Sequence, residues 1–186
     1  MFSNNIKIDT FVLTDNAPLF SNQSWTGELI TRSTGVQYYS ISFQVNLHTR
    51  SRQELQQFIA QYGQGAPFEM SLGWYSTYTG AQTGAIAASK AAGANTYQIS
   101  VAAGNKIEVG SIIQFTNHKK LYKVIANTGS VLSIFPNLKQ PVQVGENIKY
   151  NALTGMFKLQ MDNNAYATPS ENLIQMTFKA IEDVTA

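Results

Sequence analysis

Two histidines, a close-set lysine trio, one adjacent pair of carboxylates and a few aromatic residues are what this sequence offers for chemistry. His48 and His118 lie 70 positions apart, and neither has the i, i+4 partner or the Glu at motif spacing that a zinc helix needs. Each reads as a surface or hydrogen-bonded residue. With no cysteine there is no thiol nucleophile, disulfide framework or Cys-based metal site. No GxSxG, P-loop or GxGxxG occurs, and the Gly-rich stretch 80–93 lacks the flanking strand and Lys-Ser or Lys-Thr that cradle phosphates. Glu182 and Asp183 are neighbours near the C-terminus, and neighbours on a strand face opposite ways, which suits them poorly to acid and base roles in one cleft. The expectation is a protein that is not an enzyme and holds no cofactor or metal.

Binding chemistry is better represented. Lys119, Lys120 and Lys123 cluster around a predicted hairpin with Tyr122, Phe115 and Phe135 nearby, and small barrels bind single-stranded nucleic acid through cationic grooves and stacking aromatics. Against this, alternation sets Lys120 outward with Tyr122, while Phe115 and Phe135 fill a core. Trp74, Tyr75 and Tyr78 form a second group, since Trp and Tyr anchor interfaces and can stack on carbohydrate. The candidate partner or polyanion contacts are therefore Lys119, Lys120, Lys123, Trp74 and Tyr78.

These residues must be positioned by a chain of 186 residues, 44% hydrophobic and 13% charged, enough for one ordinary domain or two small ones. No apolar run approaches the roughly 20 residues of a membrane span, and the first nine residues lack the pattern of a signal peptide, so no membrane insertion is expected. The net charge of +2 is unevenly spread. Residues 85–150 carry seven basic against two acidic side chains, and the remainder six against nine. Such asymmetry marks the middle as a separate unit.

Residues 6–13 read as a strand followed by turn chemistry at Asp15, Asn16 and Pro18. Residues 24–31 are candidates to pair with a long strand over 36–47, where Tyr39, Ile41, Phe43, Val45 and Leu47 alternate with polar residues. Ser51 and Glu54 have capping-box spacing, and Leu55, Phe58, Ile59 and Tyr62 form one helical stripe before Gly63 and Gly65. This predicts one short helix near 51–63. Residues 67–74 return to strand, with Phe68, Met70, Leu72 and Trp74 on one side.

From Gly80 the composition turns to Ala, Gly, Ser and Thr, read as a linker over 84–95, with a helix over 85–92 as the competitor. Five short strands follow, at 96–101, 112–116, 120–126, 131–135 and 147–150, separated by turn residues. That density suggests a small closed or partly open barrel. The end of the chain resumes the long alternating pattern of the beginning. A strand over 155–161 leads to a loop through Asn163, Asn164 and Pro169, and then to a last strand over 172–182 with Ile174, Met176, Phe178 and Ala180 on one face. The expected fold is mainly β with one short α-helix. It is a discontinuous β-sandwich or barrel of residues 1–83 plus 152–186, with an OB-like barrel inserted at 96–151.

Three stretches give the chain a family likeness. They are the strand Tyr39 to Leu47 leading directly through Thr49–Glu54 into a short helix, the insertion phrases 94–99, 109–115 and 120–125, and the closing strand 174–181. In this order they resemble the distal tail proteins of long-tailed bacteriophages, in the variety whose tube-forming domain carries an OB-like insertion. The resemblance implies a virion structural protein assembled in the host cytoplasm, a homo-oligomer of six copies forming a ring at the end of the tail tube. Its partners would be the tube protein and the baseplate hub or tail fibre proteins, and DNA would pass the lumen without specific binding. A nucleic-acid-binding barrel and a carbohydrate-binding adaptor module are the alternatives.

Overall fold

The computed structural model describes residues 2–160, 167–170 and 172–185, and it is mainly β with a single short α-helix. Strand β1 (Ile6–Asn16) runs into a hairpin of β2 (Leu19–Gln23) and β3 (Leu29–Ser33), and the long β4 (Tyr38–His48) follows. A 3-10 turn over Thr49–Ser51 leads into α1 (Arg52–Tyr62) and then β5 (Pro67–Ser71). After the inserted unit come β12 (Thr154–Leu159), β13 (Ala167–Ser170) and β14 (Leu173–Glu182). One antiparallel sheet has the order β1-β4-β14-β12-β5, with β13 hydrogen-bonded to β14 as well. Strands from the N- and C-terminal segments thus interleave in one sheet.

Period-two alternation explains the sheet's two faces. Tyr39, Ile41, Phe43, Val45 and Leu47 are buried on one side, and Ile174, Met176, Phe178 and Ala180 of β14 lie opposite them in register. The helix covers this face through Leu55 and Phe58, and the Phe58 ring meets Phe178 edge-on at 5.6 Å. In β1 the alternation breaks, because a bulge at Thr10 (φ 45°) inserts one residue. The bulge resets parity, so that Ile6, Ile8, Phe11 and Leu13 all sit opposite the buried residues of β4.

Several local expectations are corrected. Residues 29–33 pair with 19–23 and not with β4, because a turn at Ser24–Gly27 (Gly27 φ 85°) folds them back on their own approach. The Ser51 side chain makes no cap, and the Glu54 carboxylate instead accepts from the backbone N–H (2.5 Å) and hydroxyl (2.7 Å) of Ser3. Pro169 lies in β13 rather than in a loop, while Met161, Asn163 and Asn164 fall outside the described residues.

The inserted unit is a barrel of six strands, one more than expected: β6 (Ile86–Ala87), β7 (Gln98–Ser100), β8 (Ile112–Phe115), β9 (Leu121–Asn127), β10 (Val131–Phe135) and β11 (Asn147–Lys149), in the order β6-β11-β8-β9-β10-β7. Ala88 pairs with Val101, and the Ser89 N–H donates to the Ser100 carbonyl at 2.8 Å, so the last strand returns to the first. This seam corrects the linker. Residues 86–92 are neither tether nor helix but barrel wall, with Ile86 and Ala88 buried. Small residues suit a wall that passes close to the rest of a narrow barrel, and by composition alone they look like a tether. Ile99, Ile113, Phe115, Tyr122, Leu132, Ile134 and Ile148 fill the interior, a core separate from that of the sheet.

Candidate functional site: a polar clamp and an unpartnered hairpin

The lysine trio sits at the start of β9, where the barrel meets the sheet, and each member reaches an acidic residue of the sheet unit. Lys120 and Glu182 form a fully buried ion pair, their side chains 1% and 0% exposed, with Nζ 2.7 Å from Oε2. The rest of the carboxylate is also satisfied: Oε2 accepts from the Tyr39 N–H and Oε1 from the Leu121 N–H, both at 2.9 Å. The Lys120 ammonium donates as well to Gln37 Oε1 (3.1 Å), and Gln37 Nε2 donates to Asp15 Oδ1 (2.7 Å). Lys123 pairs with Asp15, and Lys119 with Glu69 at 2.9 Å. Gln114 completes the junction, donating to the Lys119 and Thr154 carbonyls at 2.7 and 2.6 Å. Leu121 packs into the sheet's core rather than the barrel's.

The electrostatics follow from this geometry. Burial lowers the Lys120 pKa against the pull of Glu182, and burial pushes the Tyr122 phenol up to about 12. Burial opposes the Asp15 carboxylate, but bonds from Lys123 and Gln37 outweigh it and hold its pKa below the ordinary value. Thr154 and Lys119 lower that of Glu69. A buried pair of this kind adds little net stability over an apolar substitute, yet removing one partner is costly, so its effect is to fix how the barrel docks. The expected outward placement of Lys120 and Tyr122 is thus corrected: both are buried, one in the junction and the other in the barrel core. Phe115 does fill the barrel core, and Phe135 is half-buried.

Alternation does carry a signal for this clamp. Glu182 has the parity of Ile174, Met176, Phe178 and Ala180, which puts a carboxylate on the apolar face of the last strand, where it requires a buried partner. No spacing in the sequence identifies that partner as Lys120.

Trp74 and Tyr78 lie on a different part of the same junction. The strand ends at Ser71, and a 3-10 turn over Gly73–Ser76 turns Trp74 outward, 88% exposed, while Leu72 anchors the turn in the core. The Tyr78 phenol donates to Glu108 of the barrel, and the Ala81 N–H donates to Glu108 Oε1 at 2.6 Å. A Cβ on Gly80 would collide with that carboxylate and with the Tyr78 hydroxyl, so a larger residue there would displace this contact. The result is a groove of about 430 Å³ between the units, bounded by Trp74, Tyr75, Tyr78, Glu108 and Tyr150. The structure therefore does not bring the aromatic pair and the lysine trio into one site.

No family model and no curated protein matches this chain.

His48 Nδ1 lies 3.1 Å from the Asn172 carbonyl, whereas His118 is buried, with no partner for Nε2, against Phe115 and Tyr122. Burial lowers its pKa, opposed by Glu146. Among the described residues no group of three or more His, Cys, Asp or Glu could hold a metal, and no helix is long and apolar enough to cross a membrane.

Neither motif nor spacing points to the largest exposed apolar feature of the described residues. Leu19, Phe20, Leu29 and Ile30 of the β2-β3 hairpin are 59 to 69% exposed, and Trp25 at its tip is fully exposed. Elsewhere the sheet curls so that its first and last strands, β1 and β5, face each other across a groove of about 940 Å³ lined by Phe2, Ile6, Ile8, Phe11, Phe68 and Met70.

Proposed function

We propose that this protein is a structural component of a bacteriophage tail, forming a ring of six copies at the distal end of the tail tube that joins the tube to the baseplate hub or central fibre. The observation that carries the reading is the second face of the long sheet. One face is sealed by α1, and the other presents Ser40, Ser42, Gln44 and Asn46 of β4 beside Gln175 and Thr177 of β14. The charges on that face, Lys7, Asp9, Glu69, Lys158 and Lys179, are of both signs. A lumen that passes DNA needs such a lining, since a strongly basic wall would bind phosphates through counterion release and hold the DNA. The barrel, attached by its polar clamp, then projects from the ring.

The lysine pairing weighs against the nucleic-acid alternative, because the trio expected to contact a polyanion is neutralised by Glu69, Glu182 and Asp15. The carbohydrate alternative retains Trp74, an exposed aromatic ring beside a groove. Light scattering followed by negative-stain imaging tests the ring: particles of about six times 20.5 kDa with a central hole support it. A saturable glycan affinity lost on Trp74→Ala, in a protein that forms no ring, would favour the adaptor module.

A further inference from the structure

We infer that the β2-β3 hairpin of one copy inserts into the β1/β5 groove of a second copy, so that copies join head to tail. The inference rests on the ring reading and specifies its contact.

Each face of the hairpin carries two large apolar side chains among polar ones such as Ser21, Asn22, Thr31 and Arg32. Its register puts Leu19 and Leu29 on one side and Phe20 and Ile30 on the other, and no other described part of the chain covers either. Docking on a flat surface would cover only half of these side chains, whereas a slot covers both faces. Phe20 and Trp25 each bring roughly 150–250 Å² when buried, with three aliphatic side chains beside them. The arm thus comes close to the roughly 800 Å² per partner of a standard interface, beyond the roughly 300–600 Å² of a typical monomer's largest apolar patch.

The groove supplies the matching slot. It lies between the strands that end the sheet's pairing order, so strand edges flank a floor in which Ile6, Ile8, Phe11, Phe68 and Met70 alternate with polar residues such as Ser3, Glu69 and Thr154. An added β element there meets backbone donors and acceptors as well as apolar side chains. None of the groove's lining comes from the hairpin of the same chain, which leaves β1 at its other end, beyond Asn16. Two different complementary surfaces on one chain make a heterologous contact, the kind that closes into rings, whereas a self-complementary patch stops at a dimer.

The chain has no cysteine, which makes thiol cross-linking clean. Phe20→Cys and Ile8→Cys both replace exposed residues, and the double variant should oxidise into a ladder of multimers. The ladder should form roughly 100-fold faster than dimers of either single variant, because docking raises the local thiol concentration to about the millimolar range. Leu29→Cys with Ile8→Cys gives a second pair against a misplaced first one. Light scattering on the unsubstituted protein reports assembly separately. Multimers by scattering with a ladder from neither pair would overturn the inference and leave the ring standing. Monomers by scattering with no ladder would overturn both. Phe20→Cys alone dimerising as fast as the double variant, or thiols lost without a mass change, would replace this contact by hairpin-to-hairpin pairing or by folding back within one chain.

Discussion

The barrel and the sheet unit end their strands in opposite ways. The barrel returns on itself through Ala88 and Val101, and its exposed large apolar residues, Tyr97, Val109, Ile125 and Val144, are scattered singly. The sheet unit stops short of closure, leaving an apolar groove between β1 and β5 and a hairpin whose five large apolar side chains stand open to solvent. Scattered residues need no explanation, while a concentrated patch calls for a partner. The barrel is therefore finished as a single chain and the sheet unit is not. Any assembly surface should belong to the sheet, with the barrel carried along by its clamp.

The largest effect is expected from unclamping the barrel. Lys120→Ala leaves the Glu182 carboxylate buried without its cation and should destabilise the protein by about 3–5 kcal/mol, read from denaturant unfolding. A change below about 1 kcal/mol, the range of exposed pairs, would mean that the junction is solvated and the units are loosely tethered. Next in size is a contrast of interiors. Ile134→Ala in the barrel core should cost about 2–5 kcal/mol, whereas Phe20→Ser in the hairpin should alter monomer stability by no more than about 0.5 kcal/mol while lowering the mass of any assembly. Equal costs at the two positions would show that the hairpin is packed within its own chain.

Acid should act on both regions, for different reasons. His118 is held neutral by burial, with its folded pKa below the ordinary 6.5, so its contribution is complete above that value and declines as the pH falls below it. Glu146, Phe115 and Tyr122 are the groups that face it. His118→Phe should flatten the fall in melting temperature between neutral and mildly acidic pH, and an unchanged slope would remove His118 as its source. Asp15 and Glu69 have lowered pKa values, so the two outer pairs contribute above the ordinary 3.8 and 4.5 and fade below them. Lys119→Gln with Lys123→Gln should cost only about 0–1 kcal/mol per pair and remove part of that acid limb in a urea titration.

Much of the framework is legible in the sequence because strand alternation is a local property. The apolar series Tyr39 to Leu47 and Ile174 to Ala180, the helix through Leu55 and Phe58, and five of the six barrel strands stand where the pattern puts them. Features set by distant pairing are not legible in this way. The β6 wall is written in residues that also make good tethers, and the bulge at Thr10 hides the true parity of β1, whereas the turn at Ser24–Gly27 is local and carries its own signal in Gly27. Of the candidate site, the lysine trio is visible as a cluster of charge. Its acidic partners come from positions 15, 69 and 182, brought together only by the fold.

An unfinished sheet unit beside a finished barrel is tested most directly by the mass of the purified chain, measured by light scattering across a concentration series alongside Phe20→Asp. The expected result is ring-sized particles near six times 20.5 kDa that fall to single chains in the variant. A mass of 20.5 kDa at every concentration for both proteins, with the hairpin still open to solvent, would contradict it.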